Sequence, residues 1–529
     1  MQDKKRITIN GIRVQYKNTP ANYDKEAIHK ATVQIYKKTG AKPFNLKISK
    51  KSIDARRGEI SFVYTVYAEI ENGKINESDR EIKIFSDPKL DLSHGTKKIA
   101  SRPIIVGFGP AGMFASLLLA ENGFRPIVFE RGGSVKERSA AVEKFIKEGI
   151  LDENTNIQFG AGGAGTFSDG KLMTRINDPL ISYVLYKLCA LGAPDDITYK
   201  AKPHIGTDIL RSVVENADKK VRELGGEIYY NTPVTDITSS SLRAGGEIFS
   251  FDAMILATGH SARDIYDELL CGGFTVEAKP FSVGVRAEHL QTDIDRAMFR
   301  GHAGDEVLGH AEYQLSYRKG ERGCYTFCMC PGGTVVPSAS EAGGVVTNGM
   351  SMRARDGKNA NAAVCVSVHP EDYGNDPRLA IKFQRDLEKT AYKAAGCDYS
   401  APMQTVGDLL EGKHGSEPSV IIPTYRGGCV KAVDFGNIFP PFVTEMLKAG
   451  LIDFSHKIHG YADAGVPLTG VETRTSAPVR ILRGENFTAV GYNKIYPCGE
   501  GAGYAGGIVS AAVDGIRVAS KIISEYAPE

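Results

Sequence analysis

The sequence lacks the features of a secreted or membrane-spanning protein. Its N-terminus is polar and charged, with neither the apolar core of a signal peptide nor the pattern of an organelle transit peptide. The longest apolar run begins at Ile104, and three glycines and a proline near its start make it typical of a strand, turn and helix rather than of a membrane span. We therefore expect a cytoplasmic protein with no membrane partner.

Cysteine is also scarce, with nine residues in a chain of 529. An odd count in a large cytosolic chain argues against a disulfide framework, and no second cysteine pair or histidine cluster has the spacing of a zinc site. We predict no metal. Cys324, Cys328 and Cys330 lie close together in the sequence. On a regular strand they would share one face, and Cys328 and Cys330 would stand about 7 Å apart, too far for a disulfide.

Charge is nearly balanced over the whole chain, at a net +2, but it is unevenly distributed. Residues 1–60 carry 15 Lys and Arg against 5 Asp and Glu, which leaves 50 against 58 for the rest. Such a basic segment is most often a solvated face, although it would also suit an acidic partner. Contact between residues 1–60 and nucleic acid is therefore kept as a minor hypothesis.

The chain divides into segments of different pattern. Over residues 1–98, alternating strands surround one helix near residues 25–38 and end in a polar, turn-rich linker over 86–98, which predicts a small basic α+β module. Residues 271–470 mix strands and helices in a way that favours a substrate or cap domain.

A complete βαβ unit begins at residue 103. An apolar strand, a glycine-rich turn, an Ala/Leu helix and a second apolar strand follow one another in PIIVGFGPAGMFASLLLAENGFRPIVFERG. Gly107, Gly109 and Gly112 satisfy GxGxxG, and Glu130 follows the first glycine by 23 positions. This spacing is typical of a dinucleotide site: the glycines admit the turn, the pyrophosphate and the close helix, and the acid accepts ribose hydroxyls. Two other GxGxxG matches lack this context.

Two later segments point to the same ligand. NKIYPCGEGAGYAGGIVSAAVDGIRVASKIISEY contains a short strand, an acid at Glu500, a glycine cluster and a long helix, which suits the pyrophosphate and ribityl hydroxyls of a flavin. Ala257, Thr258 and Gly259 close another apolar strand with a turn of the kind that lies against a bound dinucleotide. The sequence therefore predicts FAD as the cofactor.

These motifs resemble the FAD-binding domain of the glutathione-reductase superfamily, in GFGPAGM, VFERG, ATG and YPCGEG. A closer resemblance is to the uncharacterised family of predicted FAD-dependent dehydrogenases, in FGAGGAGTFSDGKL, YTFCMCPGG, NGMS, VETRTSAPVRI and YPCGEGAGYAGGI, over most of residues 100–520. It implies an α/β fold with a Rossmann-like FAD-binding domain of glutathione-reductase type over residues 99–270 and 471–529. An inserted mixed β-sheet/α substrate domain would occupy 271–470, after the small N-terminal module.

The resemblance also implies which residues hold FAD. The glycine-rich turn would line the pyrophosphate, Glu130 would bind the adenosine ribose, and Gly499 and Glu500 would face the ribityl group. Gly507 and Ile508 would approach the flavin ring, near a segment whose lysine would stabilise the reduced flavin. The predicted set is Gly107, Gly109, Pro110, Ala111, Gly112, Glu130, Arg131, Thr166, Ser168, Lys171, Val234, Ala257, Thr258, Gly259, Gly499, Glu500, Gly507 and Ile508.

Several residues keep two interpretations each, and no catalytic residue is assigned. Cys330 and Cys498 are either a redox pair beside the flavin or small buried core residues. His260 and Arg474 contact the flavin or an anionic substrate, or else they cap a turn and form a structural salt bridge. Lys171 lies beside the flavin ring or on a surface loop.

The function that best explains these motifs is an FAD-dependent oxidoreductase, which transfers hydride between the flavin and an unidentified small-molecule substrate. The alternatives are a flavin monooxygenase and a flavin-bound adaptor that associates with RNA and uses FAD structurally. Neither the NADPH domain nor the CxxxxC redox pair of glutathione reductase is visible, so any NAD(P)H would bind transiently or elsewhere. The oligomeric state is not predicted.

Overall fold

The computed structural model describes residues 4–17, 21–55, 59–76, 78–85, 90, 92–418 and 420–528. The chain begins with β1 (Lys4–Gln15), α1 (Tyr23–Thr39), β2 (Phe44–Asp54), β3 (Ser61–Glu71) and β4 (Ile82–Ile84). These strands form an antiparallel sheet in the order β2-β3-β1-β4, and α1 packs on it. The strands and the helix predicted for this segment are present. The predicted linker over 86–98 falls partly outside the described residues, at 86–89 and 91.

Basic side chains of this first sheet are paired with acids. Ion pairs join Lys4 to Glu69 at 2.6 Å and Lys51 to Asp24 at 2.7 Å. Exposed pairs of this kind are worth little in stability. Of the two, only Lys4–Glu69 offsets part of the positive charge of residues 1–60, because Glu69 lies outside that range. Contact of this segment with nucleic acid stays a prediction.

The next segment alternates short strands with helices. Its elements are β5 (Lys97–Lys98), β6 (Ile104–Val106), α2 (Pro110–Glu121), β7 (Ile127–Phe129), α3 (Val135–Glu148), α4 (Leu180–Ala190), α5 (Thr207–Glu223), β8 (Glu227–Tyr229), β9 (Val234–Thr235), β10 (Ser241–Ala244), β11 (Glu247–Ser250), β12 (Met254–Leu256) and α6 (Arg263–Cys271).

The middle segment is richer in long strands. It contains β13 (Val276–Ala278), β14 (Phe281–Leu290), α7 (Gln291–Phe299), β15 (Ser316–Lys319), β16 (Arg322–Cys330), β17 (Thr334–Pro337), β18 (Thr347–Met350), β19 (Asn359–Val368), α8 (Pro377–Ala394), β20 (Ala401–Thr405), α9 (Val406–Glu411), β21 (Val430–Ala432), α10 (Pro441–Lys457) and β22 (Pro467–Glu472). The last elements are β23 (Val479–Ile481), β24 (Ile495–Pro497), α11 (Ile508–Glu525) and β25 (Tyr526–Ala527).

Two sheets position the functional site. The first is a five-stranded parallel sheet in the order β24-β12-β6-β7-β8, so it unites strands from both sides of the middle segment. Its central strands β6 and β12 are buried throughout, as is typical of parallel sheets with both faces covered. The second is a seven-stranded sheet in the order β15-β16-β19-β14-β22-β20-β21, antiparallel except for the β20–β21 pair.

The N-terminal sheet, formed by β1 to β4, is packed against the middle segment. Their buried apolar side chains form one continuous cluster. At the contact, the Tyr16 hydroxyl donates to Asp305, and its ring meets the His302 ring edge-on with the centroids 5.1 Å apart. The boundaries predicted at residues 98, 270 and 470 stay predictions.

One predicted strand is shorter in the structure. The sequence favours a strand over 311–318, but β15 begins only at Ser316. Two amides of this stretch donate to side chains and not to the backbone of a neighbouring strand: the Ala311 amide donates to Asp295 at 2.7 Å, and the Leu315 amide to the Thr326 hydroxyl at 2.8 Å. The Leu315 carbonyl still accepts from the Thr326 amide of β16 at 2.8 Å.

Candidate functional site

A cavity of about 1190 Å³ lies between the parallel sheet and the seven-stranded sheet. It exceeds the roughly 300–1,000 Å³ usual for small-molecule pockets, so it has room for a dinucleotide together with a substrate. One wall follows the carboxyl ends of β6, β7, β12 and β24, where ligands of parallel sheets bind. The predicted residues that line it are Gly107, Gly109, Pro110, Ala111, Glu130, Arg131, Ser168, Lys171, Val234, Ala257, Thr258, Gly259, Glu500, Gly507 and Ile508.

Three predicted residues are not among the described residues that line the cavity, and they support its wall instead. Gly112 lies behind the turn, and a Cβ there would overlap the carbonyl oxygen of Gly107. Thr166 is buried, and its carbonyl accepts from the Thr207 hydroxyl at 2.6 Å. The Gly499 amide donates to Asp514 at 2.7 Å, which fixes the turn after β24.

Two helices begin at this cavity without a side-chain cap. The residues before α2 and α11 are Gly109 and Gly507, and neither helix start has a capping side chain. The first amides of both helices therefore lack the usual partner, and a helix N-terminus carries a partial positive charge. Two such termini facing one cavity are suited to the phosphates of a dinucleotide.

Glu130 ties three loops together at the end of β7. Its carboxylate accepts the amide hydrogens of Phe108 at 2.8 Å, Gly132 at 3.0 Å and Gly160 at 2.9 Å. The carboxylate thus holds the glycine-rich turn to the loop around Gly160 while it lines the cavity. Beside it, Arg131 pairs with Asp264.

Glu500 lies at the opposite strand edge, directly after Gly499. Burial raises the pKa of its carboxyl from 4.5 to about 7, and the positive charge of Lys279 offsets only part of this increase. A carboxyl group whose pKa is raised in this way can carry a proton, so it can donate as well as accept a hydrogen bond. This property suits contact with hydroxyl groups of a sugar-like chain.

Lys171 is held in the cavity wall by acids, so the interpretation as a surface-loop lysine is wrong. Its amine lies 2.9 Å from Asp169 and 3.8 Å from Glu312, and Arg355 pairs with the same two carboxylates. Burial alone would lower the pKa of Lys171, but the two carboxylates outweigh it and raise the pKa. The amine therefore stays protonated. Nearby, the Ser168 hydroxyl donates to the Gly165 carbonyl at 2.7 Å.

His260 and Arg474 both line the cavity, and both also have structural partners. Arg474 forms a buried ion pair with Glu388 at 2.9 Å, so its structural salt bridge is present. The His260 ring contacts the Ser261 hydroxyl at 3.0 Å. Burial, reinforced by the charge of Arg474, lowers the pKa of His260 to about 3, so this ring is neutral at physiological pH.

The cysteine-rich strand is not regular, and this corrects the prediction of one shared cysteine face. The register of β16 against β19 shifts between Phe327 and Cys330, and Cys328 has a left-handed backbone with φ 46°. The bulge turns Cys328 towards the cavity and leaves Cys330 and Cys324 buried. Cys330 contacts Cys328, and no described hydrogen bond joins it to Cys498, which lines the cavity separately.

Residues of the seven-stranded sheet form the second wall, and a buried arginine behind them holds them in place; this set was not identified from the sequence. Arg286 is fully buried and forms a double hydrogen bond with Glu472, at 3.0 and 2.7 Å. It also donates to the Cys328 carbonyl at 2.9 Å and to Asn348 at 3.0 Å. A buried arginine between β14 and β22 thus fixes the bulge of β16. The signals available in the sequence were the charged residues inside two apolar strands, FSVGVRAEHL and PLTGVE.

Within the residues that the structure describes, no group of three or more His, Cys, Asp or Glu side chains is arranged to hold a metal ion. Among the helices of the same residues, none is long and apolar enough to cross a membrane.

Comparison with known proteins identifies the family. Residues 280–475 match the family model described as "FAD-dependent protein, C-terminal domain-like". A protein of Clostridium beijerinckii, known only as an uncharacterized protein, is 44% identical over 494 residues, which are 91% of this chain and 92% of that protein. The chain belongs to this family of FAD-dependent proteins. The predicted cofactor, FAD, is thereby confirmed.

Solved structures similar to this flavoprotein are distant. CtdE in complex with FAD is 14% identical, with 80% of this chain and 84% of that chain covered and a TM-score of 0.31. Glycine oxidase from Geobacillus kaustophilus is 12% identical, with coverage of 81% and 96% and a TM-score of 0.32. At these TM-scores the likenesses say nothing about the reaction, and the assignment to the glutathione-reductase type stays a prediction.

The residues of the flavoprotein's cavity fit FAD. A Cβ built at Gly506 or Gly507 would meet no heavy atom within 4 Å, and one at Gly109 would meet only the Gly163 Cα, at 3.7 Å. Open space therefore lies beside the glycines at both helix starts. This is the space that a pyrophosphate needs to approach the backbone closely.

Proposed function

We propose that this flavoprotein is an oxidoreductase that transfers a hydride between FAD and a small substrate bound against the seven-stranded sheet. The observation that carries the proposal is the continuity of the cavity. The turns after the parallel strands and the side chains of β16 and β22 line one space, so a dinucleotide anchored at the first wall would extend its reactive end to the second.

FAD, when bound, supplies the hydride chemistry, and the protein positions and tunes it. The turn from Gly107 to Pro110 and the start of α11 would hold the pyrophosphate, with Glu130 at the adenosine ribose. Lys171, kept protonated by its acidic neighbours, would place a positive charge where a reduced flavin develops negative charge. The neutral His260 would add a ring that either donates or accepts a hydrogen bond without changing the local charge.

The second wall would select the substrate. Asn348 and Glu472 supply polar groups there, and both are held in place by hydrogen bonds with Arg286. Tyr325 and Phe327 on β16 supply aromatic surface. This combination of a fixed polar patch and aromatic side chains is the usual composition of a small-molecule site.

The experiment is anaerobic stopped-flow absorbance of the FAD-loaded protein, mixed separately with NADH and NADPH. Rapid loss of flavin absorbance would support a reductase driven by a nicotinamide cofactor that binds transiently. Absence of any loss would direct the search to another hydride donor. If chemically reduced protein also failed to pass electrons to any acceptor, the flavin would be structural and the proposal would be wrong.

A monooxygenase, the alternative enzyme, would be distinguished in the same apparatus. Reduced protein is mixed with oxygenated buffer, and the rate of flavin reoxidation is compared with and without candidate substrates. A rapid reaction with oxygen that also consumes the substrate would support a monooxygenase, which inserts oxygen, over an enzyme that transfers hydride to an organic acceptor.

A further inference from the structure

Cys328 and Cys330 meet at the bulge of β16, although they are separated by one residue of a strand. Neighbours at this spacing on a regular strand stand about 7 Å apart on one face. Here the register shift and the left-handed backbone of Cys328 break the regular alternation of the strand. The Cys330 thiol donates to the Cys328 carbonyl oxygen at 3.3 Å, and the two cysteine side chains are near enough to interact.

The surrounding residues maintain this arrangement. Arg286 donates to the Cys328 carbonyl at 2.9 Å and is itself fixed by Glu472. Gly349 leaves room for the second thiol, because a Cβ at this position would lie 2.9 Å from the Cys330 sulfur. Bulges next to binding sites commonly serve to redirect a side chain. The bulge therefore belongs to a built site and is not an irregularity of an edge strand.

The two thiols have different environments. Cys328 lines the cavity, while Cys330 is buried behind it. Hydrogen bonding with the Cys330 side chain, together with the charges of Arg286 and Lys171, lowers the pKa of Cys328 despite its burial. The same hydrogen bond raises the pKa of Cys330. The environment therefore favours the thiolate form at Cys328, which faces the cavity, over the thiolate form at Cys330, which lies behind it.

We propose that Cys328 and Cys330 are a redox-active pair that closes to a disulfide and delivers its electrons to the bound FAD. In this step the Cys328 thiolate and the Cys330 thiol form one S–S bond, and the Cys330 S–H bond breaks. Two electrons and one proton leave the pair and are taken up by FAD, so no further reagent is required. The reverse step reopens the disulfide. The inference rests on the proposed function for the position of FAD in this cavity.

The test counts electrons and thiols in the FAD-loaded full chain. The parent protein for the titration carries Ser in place of the exposed cysteines Cys271, Cys397 and Cys429, so that these thiols cannot contribute electrons. The oxidised protein is titrated anaerobically with dithionite and followed by flavin absorbance. We expect it to consume two electron pairs for each FAD, and Cys328→Ser or Cys330→Ser to consume one. Cys189→Ser, which alters a half-buried cysteine of α4 that is not among the described residues lining the cavity, should still consume two.

Thiol counting on the unmodified chain provides the second measurement and needs no variant to fold. The protein is oxidised with ferricyanide, unfolded and alkylated, and the Cys328–Cys330 peptide is analysed by mass. Loss of two hydrogens in that peptide, reversed by dithionite, is expected. One electron pair per FAD together with two free thiols after oxidation would overturn the pair.

Failure of this proposal can be distinguished from failure of the proposed function, because reduction by dithionite needs no substrate site. A protein that NADH and NADPH fail to reduce can still show the second electron pair. If the substrate reduces the flavin but the Cys328–Cys330 peptide keeps both free thiols after oxidation, the redox-pair proposal is wrong and the proposed function stands.

Discussion

At the residue scale, the three glycines of the turn after β6 are glycines for different reasons. Gly107 has φ +99°, which favours glycine, and its amide donates to the Phe129 carbonyl at 2.7 Å. Gly112 has no room for a Cβ, because α2 packs directly on the preceding turn. Gly109 has room and an ordinary backbone, so nothing in the protein itself requires a glycine there. Of the three, Gly109 is therefore the one best explained by a ligand.

Glu130 marks the limit of prediction at this scale. Its distance from Gly107 in the sequence predicts a carboxylate at the end of the second parallel strand, and the structure places it there. The sequence does not predict its three hydrogen bonds to backbone amides, because one of the donors, Gly160, belongs to a loop 30 residues later in the chain. Spacing within one βαβ unit can be interpreted from local geometry, whereas contacts between loops depend on the complete fold.

A pH dependence follows from Glu500. Its folded-state pKa of about 7 lies above the ordinary 4.5, so the folded protein holds this proton more tightly than the unfolded chain. The stability contributed by this group is therefore present below about pH 4.5 and is lost as the pH rises to about 7. At about 1.36 kcal/mol per pKa unit, a shift from 4.5 to about 7 corresponds to a loss of at most about 3.4 kcal/mol.

The measurement is the melting temperature of FAD-free protein between about pH 5 and pH 8, compared with Glu500→Gln. We expect the variant to lose less stability over this range than the unmodified protein, because glutamine does not titrate. Glu485→Gln, at an exposed position, should behave as the unmodified protein does. Equal pH dependence in all three proteins would contradict the raised pKa.

At the scale of elements, local patterns predicted which helices and strands exist better than they predicted their irregularities. The strand FSVGVRAEHL coincides with β14, and the helix before Asn122 coincides with α2. The bulge in β16 was missed because its cause lies on other elements. Arg286 on β14, which is held by Glu472 on β22, donates to the Cys328 carbonyl, and no pattern within CYTFCMC reveals this contact.

A prediction at this scale concerns the packing of α10 on β16. A Cβ at Gly450 would overlap the Cys324 sulfur and lie 2.9 Å from its Cβ. Gly450→Ala should therefore destabilise the protein by about 1–3 kcal/mol, as overpacking does, even though alanine favours a helix by up to about 1 kcal/mol. Adding Cys324→Ala removes the sulfur and should restore part of the loss, with a coupling of about 1–2 kcal/mol.

Urea denaturation of both single variants and the double variant checks this coupling. Gly301→Ala serves as the control, because a Cβ there would meet nothing within 4 Å, and a change of at most about 0.5 kcal/mol is expected. Strictly additive effects of Gly450→Ala and Cys324→Ala would show that α10 does not pack on β16 in this way.

At the scale of the whole molecule, the site exists because two distant parts of the chain complete one sheet. β24 follows the middle segment, yet it pairs with β12, and this places Glu500 opposite the turn after β6. The sequence predicts this convergence from its three glycine-containing motifs. It does not predict which residues of the middle segment face the cavity, because Glu312, Asn348 and Glu472 come from different strands or loops that only the folded sheet brings together.

The measurement that tests the central claim most directly is the FAD affinity of Gly109→Ala. The added Cβ is tolerated by the protein, with its nearest neighbour at 3.7 Å, but it occupies the space beside the start of α2. FAD-free protein and variant are titrated with FAD by flavin fluorescence, and their melting temperatures are compared without FAD. If the pyrophosphate lies against this turn, the variant keeps the melting temperature and binds FAD at least about tenfold more weakly, a loss of about 1.4 kcal/mol. Equal affinity for FAD would show that the cofactor binds elsewhere.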